Sequence, residues 1–144
     1  MSDKLRTISV PLTLINMQED GFHIIVETVV FGLKLFAVVD TGASRSVFDK
    51  SLIAEHLTEL TYAQEIQATT LFGTSSTMEA VIPLLKLGRL KIKDYPTIGL
   101  DLKSVSETYE QLGYPAIAGI IGCDILRKYQ AVINCKKMKL YLHM

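Results

Sequence analysis

Val38-Val39-Asp40-Thr41-Gly42-Ala43-Ser44 is the stretch on which the reading of this chain turns. Two β-branched apolar residues carry a carboxylate into a turn, Thr41 sets a hydroxyl beside it, and Gly42 permits close backbone approach or a positive φ. Asp and Gly are also ordinary turn residues after a strand, so the stretch decides little by itself. A second one, Ile120-Ile121-Gly122-Cys123-Asp124-Ile125-Leu126, puts an apolar pair, a glycine and a helix start where another strand can pack beside the first turn. Together they are far rarer by chance than either alone.

Outward from Asp40 the chain alternates apolar and polar residues in short runs bounded by Gly, Pro, Asn and Asp, which is strand patterning. Upstream, Thr7 to Ile15 and Phe22 to Phe31 read as strands around a turn at Asn16 to Gly21, and Gly32 reverses the chain into Lys34 to Val39. Downstream, Ser46 to Leu57 has the spacing of one short helix. Glu65 to Leu71 and Thr77 to Leu87 read as strands of a protruding hairpin around Gly73-Thr74-Ser75-Ser76. Leu90 to Ile92 and Thr97 to Leu102 are short strands separated by Asp94-Tyr95-Pro96. Ser104 with Glu107 has capping-box spacing, and Gly113 closes the helix that follows. Ile117 to Ile121 is a buried strand, Asp124 to Tyr129 a turn or two of helix, and Ala131 to Leu142 a last hairpin around Lys136-Lys137. Many short strands and few helices predict an all-β barrel or sandwich.

Composition bounds the function. The 144 residues hold 15 Lys+Arg against 15 Asp+Glu, for a net charge of zero. One domain spanning residues 1–144 is expected, with enough buried surface to need no disulfide or structural metal. A balanced charge argues against nucleic-acid binding, which depends on clustered Lys and Arg. The longest runs without a charged side chain are 13 residues, Ile66 to Met78 and Gln111 to Cys123, short of the roughly 20 apolar residues of a membrane span. The N-terminal stretch makes a poor signal peptide, and Cys123 and Cys135 read as free buried thiols, so a cytoplasmic location is expected.

The Asp40-Thr41-Gly42-Ala43-Ser44 turn after its apolar pair, the later Ile120-Ile121-Gly122 with its helix, and the closing strand pair at Ala131 to Leu142 resemble the retropepsin-like aspartic peptidases. These single-lobe relatives of pepsin and of the retroviral proteases are matched in order over nearly the whole chain. The resemblance implies an all-β, closed barrel-like acid-protease lobe with one or two short helices. It also implies an aspartic endopeptidase with Asp40 as the catalytic carboxylate. Thr41, Gly42 and Gly122 would support the site, Thr41 by bonding across to a second subunit and Gly122 by packing beneath the turn. Gly42, Ala43 and Ser44 would contact substrate, as would Phe72, Gly73 and Thr74 on a flap at the hairpin tip. Viral members often pair an acid at the position of Ser44 with an Arg at that of Cys123. Here both are replaced, which looks more like the cellular or bacterial branch.

Physical chemistry sets the stoichiometry independently. Activating water without a metal while protonating an amide nitrogen needs a base and an acid, and two carboxyls held together can share one proton, as the aspartic proteases illustrate. The chain has one Asp-Thr-Gly, so the mechanism requires a homodimer in which Asp40 meets Asp40, with a polypeptide as substrate. No cofactor is expected. Cys123 has no recognisable His partner, and His23, His56 and His143 lack ligand spacing, so neither a thiol nucleophile nor a metal site is expected. Asp124, near a helix start, reads as a cap or dipole partner. Two other readings stay open. One is a catalytically silent peptide-binding or assembly module of the same fold. The other is a barrel that carries the motif by accident.

Overall fold

A computed structural model describes the protein over residues 6–57, 66–70 and 73–144. In chain order the elements are β1 (Thr7–Asn16), a 3-10 turn (Gln18–Asp20), β2 (Phe22–Val30), β3 (Leu33–Val39), β4 (Val47–Asp49), α1 (Lys50–His56) and β5 (Ile66–Thr70). Then come β6 (Gly73–Leu87), β7 (Leu90–Leu100), α2 (Lys103–Gln111), β8 (Ile117–Ile121), α3 (Cys123–Lys128), β9 (Val132–Asn134) and β10 (Lys139–His143). The strands form one sheet in the order β5-β6-β7-β4-β8-β3-β2-β1-β10-β9. Val29 and Val30 of β2 also pair with Lys86 and Leu85 of β6. That contact closes β2-β3-β8-β4-β7-β6 into a barrel and leaves those strands without a free edge. Among the described residues no helix is long and apolar enough to cross a membrane.

β3, the strand that leads into Asp40, is one of the barrel strands. β3 runs antiparallel to β2 and parallel to β8. Alternation sends Leu35, Ala37 and Val39 into the main core, beside Phe48, Ile53, Ile121 and Ile125. Phe36 and Val38 face the other way, onto a second cluster of Ile15, Ile25, Tyr109 and Ile117. Both faces of β3 are therefore packed, which explains its near-continuous apolar run. The β2–β3 hairpin turns at Phe31-Gly32, both with positive φ (54° and 74°), the two-residue loop whose twist matches antiparallel strands.

Several local expectations are overturned. Ser46 to Leu57 is not one helix: Val47–Asp49 is a strand inserted between β7 and β8. Phe48 fits there because Gly119 leaves room; a Cβ on Gly119 would lie 2.7 Å from the Phe48 ring. Asp94-Tyr95-Pro96 does not separate two strands, since β7 runs through it, paired to β6. What changes is phase: the inward positions skip from Ile92 to Tyr95 and, opposite, from Ile82 to Leu85, so alternation looks interrupted while the ladder continues. Gly73 to Ser76 is not a turn but the start of β6, with Gly73 paired to Thr70. The Ser104–Glu107 capping box does not form. The first turn of α2 is bonded instead by Asp101 and Asp49, whose carboxylates accept the Lys103 and Leu102 N–H groups. Cys135 is exposed and Cys123 half-buried, so neither is the buried thiol expected, although both are free.

Candidate active site

Asp40 stands just past the end of β3, where its N–H still donates to Ile121 O at 3.0 Å and extends the ladder to β8 by one bond. Its carbonyl accepts from Ala43 N–H at 3.1 Å, closing a turn, and its Oδ1 accepts from Gly42 N–H at 2.8 Å. Asp40, Thr41, Gly42 and Ser44 are all exposed and Ala43 is half-buried. The rigid sheet thus presents a carboxylate to solvent with one oxygen already oriented. Next to this turn runs the β8–α3 junction: Cys123 N–H donates to Ala43 O at 2.8 Å, and Cys123 Sγ–H donates to Thr41 O at 3.1 Å. Gly122 lies so close that a Cβ there would sit 2.8 Å from Ala43 O and from the Arg45 carbonyl. Only glycine allows the two backbones to touch in this way.

Sequence reasoning missed the clamp behind this turn. Ser46 is fully buried; its hydroxyl donates to Asp124 Oδ1 at 2.7 Å, its N–H donates to the same oxygen at 2.8 Å, and its Oγ accepts from Gly122 N–H at 2.8 Å. The Tyr95 hydroxyl donates to the other oxygen, Oδ2. Asp124, in the first turn of α3, is therefore more than a helix-dipole partner, because it ties β7, the Asp40 loop and α3 together. Partial burial raises its pKa, but hydrogen bonds from Tyr95, from the Ser46 hydroxyl and from the Ser46 and Ile125 N–H groups outweigh this and hold it below the ordinary 3.8. Burial and the bond to Asp124 push the Tyr95 phenol far up, so it remains a neutral donor.

A depressed carboxylate stabilises the fold above its unfolded pKa, and that stability is lost as pH falls through the lower folded value. Asp124→Asn keeps the shape and loses the charge. It is expected to cost about 2 kcal/mol at pH 7. The gap to wild type should narrow below about pH 4, where the wild-type carboxyl begins to lose its charge advantage. Urea unfolding midpoints at pH 7 and at pH 3 check this, and a gap equal at both would contradict it.

A further pair lies on the β2 side of the turn. His23 Nδ1 is hydrogen-bonded to the Tyr109 hydroxyl, with the rings edge to face at 5.7 Å between centroids. Burial, and then the charge of Asp40, push the Tyr109 phenol up. No sequence signal marked this pair, because α2 and β2 meet only in the folded chain. Of the residues expected on a flap, Phe72 lies outside the described residues. Gly73 and Thr74 belong to β6, in the β5–β6 hairpin that pairs Thr70 with Gly73 and Thr69 with Thr74. Among the described residues no group of three or more His, Cys, Asp or Glu is arranged to hold a metal ion.

Residues 26–125 match the family model of the aspartyl proteases, a span that holds the Asp40 turn and the β8–α3 junction. The chain belongs to the aspartyl protease family. Among solved structures, this protease-family chain is similar to a retropepsin-like aspartic protease from Rickettsia conorii. The identity is 20%, covering 99% of this chain and 94% of that one, with a TM-score of 0.55. It is also similar to the retroviral protease-like domain of Ddi1 from Leishmania major, at 19% identity over 82% of this chain and 86% of that one, with a TM-score of 0.53. Among curated proteins no sequence match is found. The fold is thus a retropepsin-like one, closed barrel and short helices included.

Proposed function

We propose that the protein is an aspartic endopeptidase that works as a homodimer, hydrolysing peptide bonds with a water held between two Asp40 carboxylates. The observation that carries this reading is the exposed Asp40 at the end of β3, oriented by Gly42 N–H and backed by the Gly122 contact. One carboxylate takes a proton from the water as it attacks the scissile carbonyl. The protonated partner hydrogen-bonds the developing oxyanion and then protonates the leaving nitrogen. Two such carboxylates share a proton and titrate as a unit. The protein supplies a single Asp-Thr-Gly per chain, so a second copy must complete the site, and the exposed Asp40-Thr41-Gly42 face is what a copy related by twofold symmetry would meet. Gly42, Ala43 and Ser44 then line the cleft, and the β5–β6 hairpin closes over an extended polypeptide.

The test is cleavage mapping by mass spectrometry on a proteome-derived peptide library at several pH values, with sedimentation of the same sample. Cuts that a hydroxyl-bearing transition-state mimic blocks, made by a sample that sediments as a dimer, are expected. A dimer that cuts nothing at any pH would favour the silent peptide-binding module. A monomer at high concentration would remove the shared-site mechanism.

A further inference from the structure

β2 and β3 pair with Ile25 opposite Val38 and Val26 opposite Ala37. That is the last pair of the ladder; continued two residues further, the same register would set His23 opposite Asp40. Alternation puts His23 on the face of Ile25, and Asp40 on the face of Val38. That face is the one Tyr109 covers, since Ile25, Val38 and Tyr109 belong to one cluster. The Tyr109 hydroxyl meets His23 Nδ1. An imidazole, a phenol and the candidate catalytic carboxylate therefore share one side of the sheet, brought there by three different elements. The geometry points to a role for this pair: we propose that His23, acting through Tyr109, is a positioning residue electrostatically coupled to Asp40, and that it sets the acidic side of the pH dependence of the site.

His23 is exposed and Tyr109 buried, so protons reach the imidazole directly while the phenol is fixed in place. A neutral imidazole with Nδ1 as acceptor takes the Tyr109 proton in its hydrogen bond. Once protonated, its Nδ1–H donates to the phenol oxygen and the Tyr109 proton turns to another acceptor. Both the cation and the released donor favour an ionised Asp40. By the same alternation the exposed Glu27 of β2 and Lys34 of β3 also stand on this face, further along the ladder from His23 and Asp40. β1 presents Ile15 opposite His23, and the Tyr114 hydroxyl, also in this cluster, is occupied by Asn16 N–H. The charged residues of α2, Lys103, Glu107 and Glu110, line the groove toward α1. Negative charge on Asp40 also acts on Tyr109, in keeping with a coupling that runs both ways.

The coupling itself is independent of catalysis; its effect on a rate profile rests on the endopeptidase reading. Two measurements separate them. In the first, the His23 ring resonance is titrated by NMR in wild type and in Asp40→Asn, with His56 and His143 as internal references and His23→Gln for assignment. Removing the Asp40 charge should lower the His23 midpoint by roughly half a pH unit, the size of a screened charge at a solvent-facing site, and leave the references in place. Equal midpoints overturn the proposal whether or not the protein cuts peptides. In the second, kcat/KM is followed against pH for wild type, His23→Gln and Tyr109→Phe. Both variants should move the acidic limb to higher pH by a similar amount, and the double variant should move it no further than His23→Gln does. A limb that stays in place while wild type cleaves removes the proposal and leaves the peptidase reading standing. A loss of rate equal at every pH marks a structural role and likewise overturns it.

Discussion

Asp40→Asn is expected to lower kcat/KM by at least about a thousandfold, the scale of losing general acid and general base together, while the fold persists. Asparagine is nearly the same size, and its Oδ1 can still accept the Gly42 N–H that orients the wild-type carboxylate. Asp40 is exposed, and its backbone bonds to Ile121 and Ala43 do not involve the side chain. In the proposed homodimer both carboxylates are lost at once, so no half-active site survives. The same change removes the repulsion between two acids forced together, and the dimer should become no weaker. Cleavage assays, thermal unfolding and sedimentation of the variant check the three parts. Proteolysis retained at wild-type rate would sink the assignment of Asp40.

Gly122→Ala should be strongly disruptive for a single added methyl. Its Cβ would fall 2.8 Å from Ala43 O and from both the carbon and the oxygen of the Arg45 carbonyl. All of these are backbone atoms, with no flexible side chain to swing away. β8 is fixed by its ladders to β3 and β4, so the strain must go into the Asp40 loop. Moving that loop stretches two bonds at once, from Gly122 N–H to Ser46 Oγ and from Cys123 N–H to Ala43 O. Overpacking and a weakened buried hydrogen bond together are expected to destabilise the fold by about 3 kcal/mol. Because the displaced segment carries Asp40, kcat/KM should fall at least about a hundredfold even where the variant is folded. Denaturant unfolding and peptide cleavage measure the two losses separately, and an alanine variant as stable and active as wild type would overturn the packing argument.

The strands most legible from residue order are those whose burial follows local periodicity. β2, β3 and a reversal at Gly32 can be read directly, because both faces of β3 are packed and a glycine was needed for the turn, although Phe31 belongs to that turn and not to the strand. β4 was illegible for the opposite reason. Three residues cannot announce a strand, and Val47–Asp49 is extended because β7 and β8 offer it a slot whose depth Gly119 sets. The β6–β7 phase shift misled in another way, since inward alternation that slips in both partners looks like a break in each alone.

By itself the sequence determined the Asp40-Thr41-Gly42 turn, the glycine that permits it, the one-per-chain Asp-Thr-Gly and the all-β class. Each of these depends on neighbouring residues or on the repeat of two along a strand. Only the tertiary structure decided what holds that turn and which distant side chains pair around it. Ser46 meets Asp124 across 78 positions, Tyr95 meets Asp124 across 29 and His23 meets Tyr109 across 86. Such pairs leave no periodic trace, because a hydrogen bond between distant segments exists only after barrel closure has brought their strands and helices side by side.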